Sequence, residues 1–288
     1  MTDKVLVRRA RPEDREQVLS FCERTWEWGD YIGDVWDKWL SEDRGALLVA
    51  LVGDRVAGTG KVTMLSRAEA WLEGLRVNPA FRGYGVAQAL YEAAETEARK
   101  RWARVARYAT PSTNLAIHNL SERFGYRRVA RFIEYAAPAE AGELPRPLAL
   151  ADADAAESQL ALQTKGLAAS GGLYDGGWHC RELRGGRLRE HIVNGEAYGV
   201  HRGARPVALA LVSDRDPSQG LRIGFLGGDS PQVAELARQL RALAQADGFE
   251  RVIVVIPVLP DVEGALQQAG YERTWDHEMW IYEHRLKG

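Results

Sequence analysis

The sequence predicts an α+β protein built as two tandem units of one plan, and three observations carry that expectation. Its 288 residues exceed one small domain and suit two. Runs of strand character and runs with helical apolar spacing alternate within each half. The second half also repeats the first. Gly125-Tyr126 answers to Gly270-Tyr271 at an offset of 145, Val105 of ARVARYAT to Val252 of ERVIVVIP at 147, and the hairpin glycines Gly53 and Gly203 at 150, all close to half the chain.

The opening VLVRR reads as a strand, Arg11-Pro12 as a turn, and the following residues as a helix carrying Val18, Leu19 and Phe21 on one face. A second short helix is expected around Val35 to Leu40. The run ALLVALVGDRVAGTGKVTML then reads as two strands joined at Gly53-Asp54, and AWLEGLRV as a third that ends at Pro79. From Val86 to about Trp102, apolar or small residues recur at helical spacing. ARVARYAT is another strand. Asn114 precedes a short helix that stops at Phe124-Gly125, where glycine supplies a left-handed cap, and RRVARFIEY closes the half. Residues 136–148, AAPAEAGELPRPL, have linker composition, so the units are placed at 1–137 and 148–288.

Composition narrows the partners. With 45% hydrophobic residues, 27% charged residues and a net charge of -2, nothing points to nucleic acid or to an anionic membrane, and a small molecule is the expected partner. Two isolated cysteines, Cys22 and Cys180, suggest neither a disulfide framework nor a zinc site. His179, His191 and His201 have no metal-ligand spacing either, so no metal is expected. No apolar run is long enough to span a membrane, and the start MTDKVLVRRARPEDRE lacks the apolar core of an export signal; a cytoplasmic protein is expected.

The stretch RGYGVA, Arg82 to Ala87, lies between a strand and a helix. Helix-start N–H groups have no internal acceptors, the helix dipole adds partial positive charge, and Gly83 and Gly85 let the backbone approach a phosphate closely. Arg82 can add a charge-assisted contact. Two familiar nucleotide motifs fail here. GYGVAQ has Gln88 where a dinucleotide-binding loop has its third glycine, and VGDRVAGTGKV has Val62 where a P-loop needs Ser or Thr.

LEGLRVNPAFRGYGVAQAL and NLAIHNLSERFGYRRV together resemble the acetyl-CoA motif, R-x-x-G-x-A, and the motif after it in the GNAT superfamily of N-acetyltransferases. The resemblance covers nearly all of the first half. It implies, for each unit, a mixed, mostly antiparallel sheet flanked by helices. It further implies that Arg82, Gly83, Tyr84, Gly85, Val86 and Ala87 hold the pyrophosphate of acetyl-CoA, that Leu75 and Val77 hold the pantetheine and acetyl carbonyl, and that Asn114 contacts the pantetheine arm. The implied reaction moves acetyl to a primary amine of a small molecule.

An alkylammonium of pKa near 10 must lose a proton before it attacks, so a base is required. Glu73 is the candidate, and its alternative is a solvated strand carboxylate. Ser121 stands where these enzymes commonly carry the tyrosine that protonates the thiolate. Water, Tyr84 or His118 could serve instead, although His118 also reads as an exposed helix residue. Around the acceptor, TWEWGDYIGDVWDKWL sets Glu27, Trp28, Asp30 and Tyr31 near Asp34, aromatic and acidic groups suited to a cationic amine, with Trp36 and Trp39 as core. DYIGDVWDKWL with WLEGLRV is also similar to the vertebrate histidine N-acetyltransferases, which implies a free amino acid as acceptor.

In the second half an offset of 146 sets Pro231 on Gly85 and brings Asp229 toward the phosphate position, so no CoA site is expected there. That half would complete the acceptor pocket or stand in for a dimer partner, leaving a monomer, with a homodimer as the alternative. Other functional readings are a CoA-binding sensor without turnover and a protein-directed acetyltransferase.

Overall fold

The computed structural model describes residues 4–23, 29–162 and 164–286. The chain divides into two compact units, one formed by the residues up to Tyr108 with those from Glu283 onward, the other by Ala109–Tyr282. The placement at 1–137 and 148–288 follows the sequence repeat, whereas this division follows packing. Among the described residues no helix is long and apolar enough to cross a membrane. Cys22 and Cys180 are buried free thiols, and burial pushes the Cys22 thiol up to about 12.

In the first unit β1 (Val5–Arg9), α1 (Arg15–Cys22) and α2 (Ile32–Ser41) precede a meander of β2 (Gly45–Val52), β3 (Arg55–Met64) and β4 (Glu69–Val77). The long helix α3 (Val86–Lys100) then leads to β5 (Val105–Pro111), which leaves this unit at Tyr108. The strands lie in the order β1-β2-β3-β4-β5, antiparallel except for β4 with β5. β2 reads GALLVALV without polar alternation because both of its faces are covered. Leu47 and Val49 pack with Val18, Cys22, Ile32, Trp36 and Trp39 from α1 and α2. On the opposite face, Gly58 of β3 admits Val86 and Leu90 of α3 so closely that a Cβ would lie 2.7 Å from Val86. The β2–β3 hairpin turns through Gly53 and Asp54, with Gly53 at φ 60°. Helix α3 ends at Lys100, short of the expected Trp102, which takes φ 69° as the amide of Ala103 reaches back to the Ala98 carbonyl at 3.0 Å.

The second unit begins with α4 (Leu115–Arg123), β6 (Arg127–Pro138), β7 (Arg146–Pro147), α5 (Ala153–Leu162) and α6 (Thr164–Ala169). A small hairpin of β8 (Leu173–Asp175) and β9 (Cys180–Glu182) precedes α7 (Gly185–Val193). The repeated meander follows as β10 (Ala197–Arg202), β11 (Arg205–Asp216) and β12 (Gly220–Gly228), then α8 (Ser230–Ala246), β13 (Arg251–Pro257), α9 (Pro260–Gln268), β14 (Glu272–Arg273) and β15 (Met279–Arg285). Its strands run β6-β13-β12-β11-β10-β7, and β12 with β13 is the parallel pair. The repeat is thus the same succession along each half of the chain: antiparallel meander, long helix, parallel strand, short helix. The glycines matched in the sequence carry the same turns, Gly203 at φ 63° in the β10–β11 hairpin, and Gly125 and Gly270 at φ 73° and 83° after α4 and α9. Tyr126 and Tyr271, which follow those two, are both buried.

Candidate functional site

Two features of the first unit shape a site, the turn from β4 into α3 and a bulge within β4. Past β4, Asn78 accepts from the Ala80 amide at 3.0 Å and starts a single tight turn, Pro79–Phe81. Phe81 is buried beneath the guanidinium of Arg55, 5.1 Å from its ring, and meets Tyr84 edge-on at 5.9 Å. Those contacts pin a loop whose tip, Arg82 to Gly85, is exposed. Gly83 and Gly85 take φ 86° and 81°, and a Cβ on either would meet nothing within 4 Å. Gly85 caps α3 without a side-chain acceptor, so the amides of the first turn, Val86 to Gln88, are left for an outside acceptor. Glycine here serves conformation and clearance, as anion binding requires.

The sequence pattern reads β4 as a plain strand, whereas the structure shows a bulge. Lys61 pairs with Glu73 and Thr59 with Arg76, so β4 spends three residues where β3 spends two. Gly74 takes φ 65° there, and a Cβ would lie 2.6 Å from the Trp39 ring. The extra residue leaves the ladder at Leu75, and pairing of β4 with β5 extends only from Glu69 to Trp71. Leu75 and Val77 therefore lie half-buried on a strand whose edge toward β5 is unpaired past Trp71, while Arg76 and Val77 still pair with β3. An isolated glycine in a strand run is the signal the sequence holds for this.

Glu73 is half-buried, and its Oε1 accepts from the Thr63 hydroxyl at 2.7 Å, so it is an oriented carboxylate rather than a merely solvated one. Opposite it, Lys61 is buried and directs its ammonium to Glu42 at 2.6 Å. Asp30 has its own partners. Arg76 donates to it from Nε at 2.6 Å and from its NH2 group at 3.1 Å, and the Ile32 amide donates at 3.1 Å. Its charge is thus balanced by Arg76. Arg76 also lies 5.3 Å from the Tyr31 ring, and Tyr31 meets Trp39 edge-on at 6.0 Å. Burial raises the Tyr31 phenol above its ordinary value, with Arg76 opposing. Trp36 and Trp39 are core. Glu27 and Trp28 lie outside the described residues. Thr63, Gly74 and Arg76 are the residues that sequence reasoning missed.

Asn114, His118 and Ser121 belong to the second unit. Asn114 caps α4, its side chain accepting from the Ile117 amide at 3.3 Å. His118 is buried, which overturns its reading as an exposed helix residue. Nε2 lies 3.1 Å from the Ser112 carbonyl, which can only accept, so Nε2 carries the hydrogen and Nδ1 accepts from the Tyr282 hydroxyl at 3.0 Å. The Trp280 ring covers it at 4.5 Å. Ser121 is buried, and its hydroxyl donates to the Ile117 carbonyl at 2.5 Å.

The second unit has no counterpart of the glycine loop. Eight residues separate β4 from α3, but Asp229 alone separates β12 from α8. Matching the helix starts, 86 and 230, sets Asp229 rather than Pro231 on Gly85, which corrects the offset of 146. Among the described residues no group of three or more His, Cys, Asp or Glu side chains is gathered as a metal site would need.

Residues 14–126 match the family model of the Acetyltransferase (GNAT) family. No curated protein matches the chain by sequence. Among solved structures, a GCN5-related N-acetyltransferase from Sphaerobacter thermophilus superposes with a TM-score of 0.65 at 16% identity, over 99% of this chain and 97% of that one. A GCN5-related N-acetyltransferase from Kribbella flavida gives 0.52 at 16%, over 99% and 72%. A tandem GNAT protein from the clavulanic acid biosynthesis pathway gives 0.56 at 13%, over 99% of both chains. At these identities the likeness speaks for the fold. The bulged strand, the glycine loop and the open helix end therefore lie within the residues that match the Acetyltransferase (GNAT) family model, and the whole chain shares the fold of two-unit GNAT structures.

Proposed function

We propose that the protein transfers acetyl from acetyl-CoA to a primary amine of a small molecule by direct attack. The observation that carries this reading is the exposed loop Arg82–Gly85 running into the open N-terminus of α3, with both glycines in left-handed conformation and room beside them. Those amides and Arg82 would hold the pyrophosphate, and the edge of β4 left unpaired by β5 at Leu75 to Val77 would hold the pantetheine and polarise the thioester carbonyl. Glu73, oriented by Thr63, takes the proton from the ammonium, directly or through water. The amine nitrogen bonds to the carbonyl carbon, the carbon–sulfur bond breaks, and the thiolate takes a proton. A CoA-like thiolate of pKa about 8.5 is a tolerable leaving group, so water or Tyr84 suffices for that last transfer. Tyr31 and Arg76 border the acceptor side, and a free amino acid is the acceptor class we favour. The two buried thiols suit a reducing cytoplasm, and the chain would act as a monomer.

Ser121 favours a second reading, a CoA-binding sensor without turnover, because its hydroxyl is held by the helix. Acetyl-dependent thiol release measured over a panel of amines separates the two. Turnover that falls about 100-fold or more in Glu73→Gln supports transfer with Glu73 as base. Tight acetyl-CoA binding with no turnover on any amine supports the sensor.

A further inference from the structure

The second unit contains a cavity of about 260 Å³ that the proposed chemistry does not use. Tyr174, Arg181, Arg187, Glu190, His191 and Glu196 line it. Glu196 lies 2.8 Å from Nδ1 of His191, and Nε2 of the same ring lies 2.9 Å from the Tyr174 hydroxyl. The Glu196 carboxylate is within ion-pair distance of the ring, while Nε2 shares a hydrogen bond with the phenol. Tyr174 and His191 are buried, which makes one wall of the cavity a fixed polar chain.

The positive wall is placed just as firmly. Arg181 packs against Gly176 so closely that a Cβ there would sit 3.0 Å from its Nε, and that Nε is buried without a hydrogen-bond acceptor. A guanidinium is always charged, so Arg181 keeps a fixed positive charge in the lining of the cavity. Arg187 bears on the same space, since its charge acts with that of Arg181 on both Tyr174 and His191. Glu190 and Glu196 complete the lining with negative charge. Two cations beside two carboxylates would repel a phosphate from one side, whereas a molecule carrying both signs meets both. The volume falls just below the roughly 300–1,000 Å³ of drug-sized sites, which limits the ligand to amino-acid size.

We propose that this cavity binds a free α-amino acid or a zwitterion of similar size, with its carboxylate on Arg181 and Arg187 and its ammonium on Glu190 or Glu196. The site lies wholly within the second unit and does not depend on the acetyl-transfer reading of the first.

The test is calorimetric titration of the full-length protein with each free amino acid, and with acetate, methylamine and inorganic phosphate as single-sign probes. An amino acid binding at least about tenfold tighter than any of the three probes is expected. Arg181→Gln should weaken it by about tenfold or more while the circular dichroism of the folded chain is unchanged, and Glu73→Gln should leave it intact. Arg187→Gln serves the same purpose if Arg181→Gln does not fold. Absence of binding for every amino acid at millimolar concentration overturns the proposal, as does phosphate binding in preference to them. Binding that survives both arginine variants but is lost in Glu73→Gln overturns it too, because the ligand would then occupy the acceptor side of the first unit.

Discussion

The hydroxyl of Ser121 donates to the carbonyl of Ile117 one turn back, and burial closes it from water. A serine so held can neither reach a sulfur nor give up that hydrogen bond cheaply, so its removal should be nearly silent in catalysis. Ser121→Ala is expected to keep kcat within about twofold and to change stability by about 1 kcal/mol or less, since the lost hydrogen bond is offset by the better helix propensity of alanine. Thiol-release kinetics with thermal unfolding checks this; a drop of about 100-fold in kcat at unchanged stability would make Ser121 the acid after all. Residue identity tells only part of this. Glu73 is legible as a carboxylate on a strand, but its orientation comes from Thr63 on the neighbouring strand. The ion pair of Asp30 is hidden in the sequence, because Arg76 lies 46 residues away. His118 reads as exposed because the Tyr282 that bonds it is 164 residues distant.

At the scale of elements, glycine is the most legible signal, because its conformational meaning travels with the residue. Gly83 and Gly85 announce the loop, and Gly53 and Gly203 the hairpins. Gly74 is masked inside an otherwise good strand run, although it creates the bulge in β4. The two kinds of glycine should respond differently to a side chain. In Gly74→Ala the new methyl would lie 2.6 Å from the Trp39 ring at φ 65°, combining left-handed strain of about 1–2 kcal/mol with a core clash of about 1–3 kcal/mol. A loss of about 2–5 kcal/mol in denaturant unfolding is expected. Gly85→Glu meets open space but bears the same left-handed strain of about 1–2 kcal/mol, so the chain should remain folded though somewhat less stable while acetyl-CoA binding, read by calorimetry, disappears through charge repulsion at the loop. A Gly74→Ala protein as stable as the parent would mean that the bulge is not anchored by Trp39.

At the scale of the molecule, the repeat is legible as matching offsets, but the return of the chain end is not, because no local pattern records which strand a final segment joins. Residues from Glu283 onward pack into the first unit. The Nε of Arg107, a residue only 3% exposed, donates to Glu283 at 2.8 Å, and its NH1 group donates to Glu69 at 2.9 Å. His284 Nδ1 lies 2.6 Å from Glu95, and the Leu286 amide donates to the Arg104 carbonyl at 2.9 Å. Cutting the chain at its linker would therefore not release an intact first unit. Removing one partner of a buried ion pair costs about 3–5 kcal/mol, and the remaining Glu69 together with the part exposure of Glu283 reduces that to about 2–3. Against a total stability of about 5–15 kcal/mol, such a loss is large. A fragment of residues 1–137 is expected to be poorly folded, and a full chain stopped after Tyr282 to unfold several degrees below the parent, measured by circular dichroism. If the fragment instead unfolds cooperatively at the parental temperature and binds acetyl-CoA, the C-terminal segment is dispensable and the repeat boundary is also the folding boundary.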